Sequence, residues 1–149
     1  MLVGFDTNIL VYTLQTPGNR NLDQARDLVN RAAGSASVGL LLQSLTEFSH
    51  VAIRRLRMDV NLVRQRVAAL RRVAAVHAPV DDDLTEALNL VRDHRLAFWD
   101  ALMCATASRV GLRYLLSEDM QDGRRLGNLR IINPFRPENA ALMDRILPP

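Results

Sequence analysis

The amino-acid sequence predicts an α/β protein, a three-layer α/β/α sandwich with a central, mainly parallel sheet. Three observations carry that prediction. The apolar runs Leu2–Phe5, Val38–Leu42, Tyr114–Leu116 and Leu129–Ile132 are near-continuous instead of alternating, as strands covered on both faces are. Stretches with helical spacing separate most of these runs, which is the connection that parallel strands need. One such stretch, Phe98–Val110, is apolar almost all round through Ala101, Leu102, Met103, Cys104 and Ala105, as befits a helix enclosed inside the protein.

In chain order, Leu2–Phe5 is a buried strand ended by Asp6-Thr7-Asn8, after which Ile9, Leu10, Val11, Tyr12 and Leu14 continue as a helix beginning at Asn8. Leu22, Ala25, Val29 and Ala32 mark a second helix, with Gly34 where a C-terminal cap belongs. Val38–Leu42 is the second strand. Ser44 opens a helix that runs to about Leu56, and Val60, Val63, Val67, Leu70 and Ala74 mark the next. Val76–Val80, interrupted by His77 and Pro79, suits only a sheet edge. Leu84, Leu88 and Val91 share one face of a further helix, and Gly111 closes the apolar Phe98–Val110 helix. Tyr114–Leu116 and Leu129–Ile132 are core strands, Pro134 and Pro137 limit regular structure after them, and Ala140–Ile146 adds a short helix. No repeat or linker divides the chain, so residues 1–149 are expected to form a single domain.

Composition narrows the function. With 48% hydrophobic and 23% charged residues the chain is globular, and no apolar run reaches membrane-spanning length. The N-terminus lacks the basic start and the apolar length of a secretion signal. The single cysteine, Cys104, excludes an intrachain disulfide and a cysteine-rich zinc site, and suits a reducing cytoplasm. All 19 basic residues are arginines, against 16 acids. Seven of them (54, 55, 57, 64, 66, 71 and 72) fall between Arg54 and Arg72 with one acid, Asp59, a basic stretch able to attract phosphate. The same arginines could instead lie along an apolar helix face and pair with Asp81, Asp82 and Asp83.

Ligand sites in open parallel sheets lie beyond the carboxyl ends of the strands, so polar residues there bear first on function. Asp6 follows the first strand directly, and Asp119 follows Tyr114–Leu116 within the polar run Ser117-Glu118-Asp119-Met120-Gln121-Asp122-Gly123. Glu47 and Asp100 stand near helix starts, which can face the same crevice. Each also has a local structural reading. Asp6 can cap a helix, Ser44-Leu45-Thr46-Glu47 matches a capping box, Asp100 complements a helix N-terminus, and Asp119 suits a turn. Glu47 falls beside the Leu45, Phe48, Ala52 stripe instead of within it.

Together these segments resemble the PIN-domain nucleases, particularly VapC-type toxins. The resemblance rests, in family order, on Phe5-Asp6-Thr7-Asn8, Gln43-Ser44-Leu45-Thr46-Glu47-Phe48, Phe98-Trp99-Asp100-Ala101-Leu102, Leu115 to Gly123 and Ile132-Asn133-Pro134-Phe135. It implies a PIN-like fold, an acidic pocket of Asp6, Glu47, Asp100 and Asp119, and Mg²⁺ or Mn²⁺ as cofactor. It further implies an RNA substrate, a cognate antitoxin, a cytoplasmic location and self-association as a homodimer. Asp6, Asp100 and Asp119 would hold the metal, and Glu47 would orient the attacking water or help recruit a second ion. Thr7, Asn8 and Ser117 match polar family positions and would supply supporting hydrogen bonds. Asp122 lies in the same segment as Asp119 and is a second candidate there.

The chemistry agrees with this residue set. Phosphodiester cleavage needs an activated water and relief of charge on the phosphate, which a hard divalent cation held by carboxylates supplies. Crowded carboxylates without metal should also have raised pKa values. His50, His77 and His94 lie in or beside separate elements and offer a poorer acid–base set. Cys104 reads as core, and Trp99 as packing beneath the site in preference to stacking on a base. A catalytically inactive RNA-binding or scaffold module is the main alternative. An aspartate-nucleophile phosphatase is disfavoured because Asn8 stands where its second acid belongs.

Overall fold

A computed structural model describes every residue except 1, 17, 19, 34 and 36. The cap expected at Gly34 therefore lies outside the described residues. Among these there are six strands and seven α-helices. They follow the order β1 (Val3–Phe5), α1 (Thr7–Tyr12), α2 (Arg20–Ala33), β2 (Gly39–Leu41), α3 (Leu42–Arg54), α4 (Val60–Val73), β3 (Ala75–His77), α5 (Asp81–His94), α6 (Phe98–Arg109), β4 (Tyr114–Leu116), β5 (Arg125–Leu126), β6 (Leu129–Ile132) and α7 (Ala140–Ile146). A short 3-10 turn, Pro137–Asn139, precedes α7.

One sheet has the order β1-β4-β6-β5, and β2 and β3 form a parallel pair. A parallel bridge between Val3 and Val38 brings that pair against β1. β1, β4 and β6 run parallel, with Phe5 opposite Leu116 and Leu116 opposite Ile132. Only β5 is antiparallel, in a short hairpin with β6 that turns at Gly127. β3 takes the edge position that His77 and Pro79 suggest.

The continuous apolar strands are explained by two cores, one on each face. Val3, Phe5, Leu40, Leu116 and Ile132 point into a core shared with α1, α2, α3 and α7. Leu41, Leu115 and Ile131 point into the other, with α5 and α6. Successive residues of β1, β2 and β4 thus alternate between two apolar layers, and in β6 only Arg130 interrupts them. Gly4 marks the tightest point: a Cβ there would lie 2.7 Å from Leu112 Cδ1, which is itself buried.

Four expectations are corrected. α3 begins at Leu42, directly out of β2, and Ser44 lies inside the helix, fully buried with its hydroxyl toward Met103 Sδ at 3.8 Å. Ser44 is therefore no cap, and the capping box does not form. The inner face of α5 is Asp83, Ala87 and Leu90, whereas Leu84 and Leu88 are 48% and 55% exposed. Asp83 pairs with Arg109 at 2.8 Å instead of with the Arg54–Arg72 stretch, all of whose arginines are exposed. Trp99 packs beneath nothing: it is 64% exposed and touches Phe98 edge-on.

Candidate active site

The carboxyl ends of β1 and β4 lie side by side, because Asp6 N–H continues the ladder to the Leu116 carbonyl at 2.9 Å. Asp6 is the N-cap of α1, with one oxygen accepting from Thr7 N–H at 2.6 Å. Its other oxygen accepts from the buried Ser117 hydroxyl at 2.7 Å. The local and functional readings of Asp6 therefore hold together: one oxygen caps a helix while the carboxyl group lies at the head of the crevice. α1 starts here because an Asp at the strand end satisfies the first free amide of the helix.

Thr7, Asn8 and Ser117 each donate to one of the four acids. The Thr7 hydroxyl reaches Glu47 Oε2 at 3.0 Å, and Asn8 Nδ2 donates to Asp119 Oδ2. Freed from any capping role, Glu47 also accepts from Gln43 Nε2 at 3.1 Å. Asp100 enters from the first turn of α6 and is half-buried.

The four acids share one electrostatic environment. Burial raises the pKa of Asp6 to about 6 despite the hydrogen bonds from Ser117 and Thr7, and the charges of Asp100 and Asp119 push the same way. Asp100 is raised by burial and by the charges of Glu47 and Asp119. No cation of the protein offsets either acid among the interactions that shift it.

Two further residues build the site; both lie in segments that carry the resemblance, but the sequence assigns neither of them a role. Gln43 Nε2 donates both to Glu47 and to the Trp99 carbonyl at 3.0 Å, joining the heads of α3 and α6. Both partners are acceptors, so the amide nitrogen must face them; its Oε1 is buried without a partner among the described residues. Glu118 accepts from the Tyr12 hydroxyl and from Asn21 Nδ2 at 3.2 Å, tying the loop that carries Asp119 to α1 and α2. That hydrogen bond pushes the Tyr12 phenol up to about 12. Asp122 is occupied elsewhere. Its Oδ1 accepts from Asn133 N–H at 2.8 Å and Asn139 Nδ2 at 2.9 Å, and Arg136 lies 3.7 Å from Oδ2. Cys104 is buried and its thiol is pushed up to about 12, so it is core and no nucleophile.

The donor set is oxygen throughout, which suits a hard divalent cation. Among the described residues, no three acids, histidines or cysteines stand close enough to enclose an ion. As these side chains stand they form no closed protein cage for an ion.

A parallel α/β sandwich with clustered acids beyond its carboxyl edge defines a class, the carboxylate-centred α/β domains. The chain belongs to the PIN-domain family, whose model matches residues 4–123. Two solved structures share the fold. The sarcin-ricin-loop-cleaving toxin VapC20 of Mycobacterium tuberculosis superposes with a TM-score of 0.63 at 20% identity, over 78% of this chain and 89% of that one. A toxin–antitoxin complex from Klebsiella pneumoniae gives 0.67 at 18% identity, over 90% of this chain and 98% of that one. No curated protein matches the chain in sequence.

Proposed function

We propose that this protein is a metal-dependent endoribonuclease, the toxin of a toxin–antitoxin pair, hydrolysing RNA phosphodiester bonds with Mg²⁺ or Mn²⁺ on its carboxylates. The observation that carries the reading is the convergence of Asp6, Glu47, Asp100 and Asp119, far apart in sequence, on one strand edge of a PIN domain. RNA as substrate and an antitoxin as partner are supported by the activity named for VapC20 and by the Klebsiella complex.

Asp6, Asp100 and Asp119 are the residues that would hold the ion, one or two of them directly and the others through its waters, since no three described acids close around a point. Bound there, Mg²⁺ or Mn²⁺ would supply charge for the phosphate oxygens and would lower the pKa of an attacking water. Ser117 and Thr7 fix the rotamer of Asp6, so that its oxygens are placed before substrate arrives. Asn8 holds Asp119 in the same way. Glu47, positioned by Thr7 and Gln43, orients the water and takes its proton.

The partner's docking face is assigned to a cavity of about 470 Å³ between α2 and α4, whose apolar lining includes Leu14, Val29, Phe48, Leu70 and Val73. Arg26 and Arg66 at the same cavity favour an acidic, amphipathic segment. A cytoplasmic homodimer completes the reading. No described helix is long and apolar enough to cross a membrane.

One observation favours the inactive-module alternative: no three acids among the described residues already close around a point. Cleavage decides between them. RNA incubated with the protein and Mn²⁺ should be cut, excess EDTA should stop it, and Asp6→Asn should lower the rate on the order of 100-fold or more. Cutting that persists in EDTA, or in Asp6→Asn, refutes the metal mechanism.

A further inference from the structure

The opposite, amino edge of the sheet carries a second concentration of charge. Arg113 precedes β4, Arg125 lies in β5 and Arg130 in β6. The three are brought together by the strand register. Arg130 N–H donates to the Arg113 carbonyl at 2.8 Å, and Arg125 is the direct cross-strand partner of Arg130. All three line a cavity of about 220 Å³ with Tyr114, Gly127 and Asn128.

Two features of this cavity call for an anion. Like charges directly opposite each other on antiparallel strands destabilise the pairing, and no acid among the described residues offsets this pair. None of the three guanidinium groups has a hydrogen bond or ion pair among the described residues. Moreover, Arg130 Nε is buried with no acceptor among the described residues; the only other such arginine nitrogen among them, Arg31 Nε, belongs to a guanidinium already paired with Asp27 and Asp144. Arginine is the side chain suited to a planar, multidentate grip on phosphate. Arg109, by contrast, has the buried Asp83 as its partner.

We infer that Arg113, Arg125 and Arg130 form a phosphate-binding site at the amino edge of the sheet, separate from the acidic pocket, which takes the phosphate of a nucleotide or of an RNA backbone. Tyr114 pairs with Arg130 in the β4–β6 register, so its side chain belongs to the same face, partly buried against the core. The site does not depend on the proposed nuclease activity. If RNA fills it, it serves as an anchoring point away from the cut.

The test uses the whole protein and needs no cleavage. The arginine Nε–H signals are followed by ¹H–¹⁵N NMR while pyrophosphate, AMP or a 5′-phosphorylated RNA oligonucleotide is added to the metal-free protein at 150 mM salt. Arg130 Nε–H should shift with pyrophosphate, and Arg125→Gln with Arg130→Gln should weaken that binding by about tenfold for each arginine replaced. Wild-type signals give the answer even if a variant folds poorly. A shift with AMP as large as with RNA identifies a free nucleotide as the source. Tighter RNA binding, with a salt slope that falls by about 1.4 when both arginines are replaced, identifies the RNA backbone. No shift of Arg130 with any of the three probes overturns the proposal, whatever the outcome of the cleavage assay.

Discussion

At the scale of single residues, Asp6 carries opposing demands. The residue is 7% exposed and its pKa is raised to about 6, above the ordinary 3.8. A group whose pKa is raised on folding stabilises the fold below its unfolded value, and that contribution is lost as pH climbs through the folded one. The metal-free protein should therefore lose stability between about pH 4 and pH 6.5, by up to about 3 kcal/mol from this residue. Asp6→Asn keeps an acceptor for Thr7 or Ser117 and removes the charge. Urea unfolding should show the variant more stable than wild type at pH 7 without metal, and a flatter profile through that window. A variant less stable at pH 7 would mean that the capping hydrogen bonds outweigh the charge. Asp6 and Asp119 were legible because they follow strands, where a parallel fold puts its crevice. Gln43 and Glu118 were not, since a bridge between two helix heads, or between a loop and two helices, leaves no spacing pattern in one dimension.

At the scale of elements, the strands were legible where both faces are apolar, and helices were legible where a stripe of large side chains decides their packing. The readings failed where something smaller or more polar decides it. α5 meets α6 through Ala87, Leu90 and the carboxylate of Asp83, so the Leu84–Leu88 face that looks like core is turned outward. β5 is only two residues long, too short to show a period. The start of α3 was hidden because β2 runs into it without a break, which made Ser44 look like a cap. Asp83 is the fixing point of the α5–α6 layer. It accepts from Arg109 at 2.8 Å, from Thr106 at 3.0 Å and from Val80 N–H at 3.0 Å, and Arg109 continues to the Ala78 carbonyl. Burial raises the Asp83 pKa, but these bonds outweigh it and leave the carboxyl below its usual value. Its contribution is present above the unfolded pKa and fades as pH falls through the folded one, below about 4. Asp83→Ala should cost about 3 kcal/mol at pH 7, because Thr106 and Val80 lose an acceptor and only Arg109, itself 38% exposed, recovers water. The urea midpoint measures it. A loss under about 1 kcal/mol would show that α5 and α6 hold by apolar contact alone.

At the scale of the whole molecule, the parallel sheet separates charge. Acids gather where β1 and β4 end, and arginines gather where β4 and β6 begin, so the two-faced core sits between a negative edge and a positive one. An ion that binds the negative edge relieves a repulsion that the folded state alone bears, and it should therefore stabilise the entire domain, not the site locally. The effect must depend on pH in a definite direction. Near pH 8 Asp6 is ionised, the repulsion is full and no proton competes; near pH 5 Asp6 is mostly protonated and metal binding must displace that proton. The rise in Tm on adding Mn²⁺ should accordingly be largest near pH 8 and shrink towards pH 5, and calorimetry near pH 6 should detect proton release through the buffer dependence of the heat. In Asp6→Asn the proton release should diminish, and the rise in Tm should be small at every pH. An equal Mn²⁺ effect at pH 5 and pH 8 would place the ion away from Asp6, and the carboxylate edge would then lose its claim to the chemistry.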